Sequence, residues 1–232
     1  MIIDAIQNAL TEDNGNFIII TEDSSQLWPE YKQALSQSGQ RIAIFLNDSL
    51  KLPKGDILIS FRDCGTVNAF YNPQDAEIIM CYELFQKFLS FYGNKQNAVK
   101  AYFFVFFHEL GHALVDQLDL SILGKEEDGV DGMATVIMVN TEMPEAAILA
   151  GFFFNNQQDS EHNWFDSHSV GPQRMVNLVC WAIGGQPDLL LENPNLMDLA
   201  KQIIILGQRD CKAEYNQQES AVEEFWKPYV KY

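Results

Sequence analysis

The chain reads as an α+β fold: a small N-terminal sheet packed on one long helix, followed by a mostly helical C-terminal half. Three observations predict it. Short β-branched runs concentrate in the first 81 residues, a long stretch without proline follows, and helical apolar spacing persists from there to the C-terminus. No internal repeat or low-complexity linker divides the chain, so one domain is expected, with residues 1–96 mainly β and 97–232 mainly helical.

The elements follow in order. Phe17–Thr21 is a β-branched run after the turn signal Asp13-Asn14-Gly15, and predicts a strand. Gln26–Gln37 has helical spacing and meets a stop signal at Ser38-Gly39. Arg41–Leu46 and Asp56–Phe61 read as strands, and so does Ala76–Cys81 after the Asn72-Pro73 turn. From Tyr82 the pattern turns helical. Asn97–Leu118 carries no proline and a single glycine, and is longer than an ordinary globular helix. Val130–Val139, Pro172–Ile183, Asn195–Leu206 and Glu214–Trp226 predict four more helices, and Ala146–Phe154 is a further apolar run of core size.

Composition excludes several classes of function. Among 232 residues, 15 Lys and Arg face 32 Asp and Glu, a formal charge of −17. Nucleic acid and anionic membrane surfaces both require a basic face, so no nucleic-acid partner is expected. No apolar run reaches the length of a membrane span. The first residues lack a basic segment ahead of a long apolar one, which predicts no signal peptide and a cytoplasmic location by default. Four cysteines fall into an early pair (Cys64, Cys81) and a late pair (Cys180, Cys211). They are compatible with two local disulfides in an oxidising compartment or with four buried thiols. Export therefore stays open, and composition leaves the oligomeric state open too.

The chemistry stands on the long helix, in His108-Glu109-Leu110-Gly111-His112. Positions i and i+4 lie one above the other on a helix face, so both imidazoles can hold one Zn²⁺. Glu109 is turned partly away, where its carboxylate reaches a metal-bound water and serves as general base. Only 4 histidines occur in the chain and two fall within this pentapeptide. A third ligand is needed, and the acidic cluster Gly124–Ala134 lies just past the helix end, with a loop long enough to bring a second helix alongside. There is no glycine-rich phosphate loop, Gly-x-Ser-x-Gly or Cys-x-x-Cys, so no cofactor besides zinc is expected.

HExxH followed by a helix bearing Glu-x-x-x-Asp resembles the gluzincin class of zinc peptidases. The resemblance implies that Glu127 is the third ligand and that Asp131, one turn on, orients a ligand histidine. Glu126 fits the spacing less well, since its partner position is Val130. A second resemblance covers most of the chain from Asp63 onward. Cys64-Gly65, Asn68-Ala69-Phe70-Tyr71-Asn72-Pro73, Cys81-Tyr82-Glu83-Leu84, the HExxH and the Gly124–Asp131 segment come first. Asp166-Ser167-His168, Gln173-Arg174, Asn177-Leu178, Cys180, Gly184, Cys211 and Glu214-Tyr215 follow in that order. This is similar to an uncharacterised bacterial family of metallopeptidases, often exported, and implies a zincin-like fold without naming a substrate.

Gluzincins commonly supply a histidine steered by an aspartate from their C-terminal half to stabilise the oxyanion. His168 with Asp166 matches that role by residue type, with Arg174 as a second candidate and Tyr71 a weaker one. His162 reads as surface loop. The expected reaction is hydrolysis of a peptide bond in a peptide or protein substrate: Zn²⁺ on His108, His112 and Glu127 lowers the pKa of a bound water, and Glu109 takes its proton. The strand Ala76–Cys81 is expected to receive an extended substrate by strand addition. Two other readings compete: a zinc-binding regulatory or interaction module without activity, and a metal-free helical protein whose acidic surface recruits a basic partner.

Overall fold

In the computed structural model, residues 12–24, 27–157, 169–192 and 194–231 are described. The elements run β1 (Phe17–Thr21), α1 (Pro29–Ser49), β2 (Ile57–Arg62), β3 (Ala69–Asn72), β4 (Glu77–Cys81), α2 (Tyr82–Tyr92) and α3 (Lys95–Gln117). Then come α4 (Glu126–Asn140), α5 (Glu145–Asn156), α6 (Gly171–Gly185), α7 (Leu189–Glu192), α8 (Pro194–Lys201), a π-helical turn (Gln202–Leu206) and α9 (Cys211–Trp226). The fold is α+β, with a four-stranded sheet and a mostly helical C-terminal half. No helix among the described residues is long and apolar enough to cross a membrane.

The chain forms two compact units. The first draws on Met1–Lys87, His112–Ser121 and Glu223–Tyr232, the second on Phe88–Gly111 and Ile122–Val222.

In the first unit the sheet order is β1-β2-β4-β3. The β1–β2 and β2–β4 pairs are parallel and β3 is antiparallel to β4. A parallel β1–β2 pair needs a crossover, and α1 supplies it. Two expectations fail here. Residues 41–46 are helix, not strand, and Ser38-Gly39 does not stop α1. The buried residues of α1 are Leu35, Gly39, Ala43 and Leu46, one helical stripe, while Ile44 and Phe45 are each 62% exposed. Gly39 is a packing glycine: a Cβ there would sit 2.6 Å from the Phe61 ring of β2. Gly15 likewise packs against the backbone of Gly55 instead of making a turn.

A third expectation fails at β4. With β2 on one side and β3 on the other, it has no free edge on which to receive a substrate. The edge strands are β1 and β3, the latter too short to announce itself in the sequence. The disulfide Cys64–Cys81 and the Glu83 carboxylate, which accepts the N–H groups of Cys64 and Gly65, fix the loop leading into β3.

The second unit includes α3 as far as Gly111. Every residue from Ala101 to Leu110 is buried, and Ala101–Phe107 is apolar all round and lies in the core. Phe88, Phe91, Tyr92 and Phe153 form an aromatic cluster between α2 and α5, edge-to-face except for the stacked Phe88–Tyr92 pair. The apolar run at 146–154 is helix α5. A disulfide, Cys180–Cys211, ties α6 to the first residue of α9. All four cysteines are thus bridged, which settles the sequence's open alternative in favour of disulfides.

Candidate metal centre

The i, i+4 spacing on α3 puts His108 and His112 on one helix face. Flanking Phe107, Leu110, Ala113 and Leu114 are buried, and the centre inherits that burial: His108 is 4% and Glu109 7% exposed. Gly111, inside the motif, decides what can approach. A Cβ there would lie 2.7 Å from the Val130 side chain, so its absence lets α4 close onto α3. Val130 sits between Glu127 and Asp131, and the same contact brings both carboxylates alongside His108.

The distances follow from that approach. His108 Nδ1 is 2.8 Å from Asp131 Oδ1, and its Nε2 is 3.2 Å from Glu127 Oε2. The ligand atoms of His108, His112 and Glu127 all lie within 4.8 Å of one another. Two imidazoles and a carboxylate are the donor set of a catalytic zinc site. Bonds of 2.0–2.1 Å in tetrahedral array would separate donors by about 3.3 Å, close to the His108–Glu127 contact. The residues fit a metal of this class. Glu126 is exposed and outside the donor group. The one other such group among the described residues, Cys64, Cys81 and Glu83, is spent on the disulfide and on backbone N–H groups.

Electrostatics point the same way. Burial opposes a charge on His108, yet the hydrogen bonds to Asp131 and Glu127 and the charges of Asp131 and Glu109 outweigh it, pushing the imidazole up to about 9. Burial would also raise Asp131, but Arg174 and His108 hold it well below the usual carboxylate range. Asp131, Glu127 and Asp128 act on the single guanidinium of Arg174 and Glu109 acts on His108, so acidic groups outnumber basic ones around the centre, which favours a cation.

The other expected residues are placed as follows. Arg174 on α6 is buried and meets Asp131 with two nitrogens: Nε donates to Oδ2 and Nη2 to Oδ1, each at 2.8 Å. Its guanidinium lies 3.9 Å from the centroid of the Phe154 ring. Tyr71 donates its hydroxyl to Asp116 Oδ2 at 2.6 Å and accepts from Gln117. Burial and that carboxylate raise its pKa, so its proton is committed to Asp116. Asp166 and His168 lie outside the described residues, as does His162; the next residue, Ser169, donates to Asp128 Oδ1 at 2.8 Å, beside Glu127 in the chain.

Sequence reasoning missed two contacts, Arg174 with Asp131 and Tyr71 with Asp116. The first had a signal: an arginine within an apolar helix requires a buried acid, and Asp131 is a charged residue on an otherwise apolar helix face.

The chain matches the model of domain-of-unknown-function family 4344, whose description reads "Putative metallopeptidase", over residues 22–227. Searches of curated proteins and of solved structures return no match.

Proposed function

The chain belongs to the family so described, and from that premise we propose that it is a zinc-dependent peptidase of zincin-like fold, in which Glu109 is the general base. The observation that carries the reading is the convergence of His108, His112 and Glu127 within 4.8 Å, with Glu109 next in the chain to the first ligand. A zinc ion held by these three residues would supply the Lewis acidity that activates water and polarises the scissile carbonyl.

The chain's own groups do the rest. Asp131 accepts the Nδ1–H of His108, which fixes the tautomer whose Nε2 lone pair can ligate. Glu109 takes a proton from the attacking water and delivers it to the leaving amine nitrogen. Burial around Glu109 excludes competing water. His168, steered by Asp166, is our candidate for the oxyanion donor; the Ser169–Asp128 hydrogen bond, one residue on from His168, supports it.

The substrate is a peptide, and it adds to the free edge of β3. Tyr71 ties that strand to Asp116, one turn past His112 on the same helix, which supports this strand as the place of addition. Two disulfides favour an oxidising compartment for the working protein.

The experiment is hydrolysis of a peptide library by the zinc-loaded chain, with Glu109→Gln as the control. Cleavage by the wild type and none by the equally loaded variant is expected. A metal-loaded wild type that cleaves nothing would leave a zinc-binding module without catalytic activity as the account.

A further inference from the structure

Arg174 is an arginine in an apolar stretch of α6, 8% exposed, in a chain that keeps most of its charges in water. A guanidinium so buried has to be paired and held, and it is. One edge of it makes two parallel hydrogen bonds to Asp131, and its face stacks on Phe154. Gly171 sets that stack: its missing Cβ lets the start of α6 lie against the Phe154 carbonyl at the end of α5.

Asp131 Oδ1 then takes two donors, Nη2 of Arg174 and Nδ1 of His108, both at 2.8 Å. Oδ2 takes Nε of Arg174. The carboxylate is fixed in plane and in charge, and it fixes in turn the ring of His108, whose Nε2 faces Glu127. For Arg174 to reach a substrate oxyanion instead, it would have to leave Asp131 buried without its main counter-charge.

We propose that Arg174 is a positioning residue for the metal: through Asp131 it holds His108 in the ligating orientation and so sets the metal affinity of the centre. The proposal rests on the metal-site reading above. It replaces the oxyanion role that residue type alone suggests for Arg174.

The test is Zn²⁺ affinity, read by competition with a chromophoric chelator, for wild type, Arg174→Met, Arg174→Lys, Asp131→Asn and the Arg174→Met/Asp131→Asn double variant. Arg174→Met should weaken binding by ~10–100-fold, the range for lost outer-shell support of a ligand. Asp131→Asn should fall in the same range. The double variant should be no weaker than the weaker single one, because both act through one chain of contacts. Arg174→Lys keeps the charge but loses the two-pronged edge, and should fall between Met and wild type. Circular dichroism of each metal-free variant controls for folding; if Arg174→Met does not fold, Arg174→Lys and Asp131→Asn carry the comparison. Unchanged affinity in Arg174→Met or Arg174→Lys, or additive losses in the double variant, would overturn the proposal. Wild-type affinity with hydrolysis slowed ~100-fold would return Arg174 to the oxyanion. A wild type that takes up no zinc defeats the metal-site reading itself, an outcome distinct from these.

Discussion

Glu109 and His108 stand side by side on one helix, and their substitutions should separate chemistry from binding. Glu109→Gln should retain zinc and lose peptide hydrolysis by ~10²–10⁴-fold, the usual contribution of a positioned base; equal rates in steady-state assays would remove it from the mechanism. His108 governs the pH response. In the metal-free chain its folded-state pKa, about 9, lies above the ordinary 6.5. A raised folded pKa contributes stability that is complete below the unfolded value and is lost as pH rises through the folded one. The metal-free protein should therefore lose stability between pH 6.5 and about 9. The zinc-loaded protein, with His108 already deprotonated by ligation, should not. Urea midpoints across that window check it, and a flat metal-free profile would contradict it. At the level of single residues the sequence is most legible where spacing is local: i, i+4 puts His108 and His112 on one helix face, whereas Glu127 and Asp131 rest on the resemblance as well as on spacing. The partnership of Arg174 with Asp131, 43 residues away, is not legible, because nothing local encodes a contact across two helices.

Two glycines show how close packing places the elements. Gly111 lets α4 carry its carboxylates to α3. Gly111→Ala should overpack against Val130, costing about 1–3 kcal/mol in thermal or urea unfolding. It should also weaken zinc binding as Glu127 and Asp131 are pushed outward. An alanine variant with wild-type stability and affinity would show that the contact relaxes freely. Gly39 explains the main misreading of the sequence. A Ser-Gly pair followed by Arg-Ile-Ala-Ile-Phe-Leu has the local marks of a helix stop and a strand, yet Phe61 accepts the bare Gly39 backbone and the helix continues. Tertiary packing overrode propensity there. β3 escaped notice for a different reason: four residues carry too little period to declare a strand, and only the pairing with β4 defines it.

Across the whole molecule, two covalent ties supplement the cores. The disulfides bridge sequence separations of 17 and 31 residues. In the chain-entropy account, loops of that size contribute roughly 3 and 3.7 kcal/mol. Reduction should lower the melting temperature markedly, and the Cys180→Ser/Cys211→Ser variant should lose more than Cys64→Ser/Cys81→Ser. Equal melting with and without reductant would contradict both. The paired reading of the cysteines was available from their positions, but the choice between bridge and thiol was not, since it depends on Cα atoms 5.4 and 4.9 Å apart in the fold.

The proposed hydrolysis depends on this chain holding a metal at His108, His112 and Glu127. Elemental analysis of purified wild type, Glu109→Gln and His112→Ala, each offered zinc and then dialysed, tests it most directly. About one zinc per chain in the wild type and in Glu109→Gln, and none in His112→Ala, is the expected result. A wild-type chain that retains no metal would contradict the account at its root.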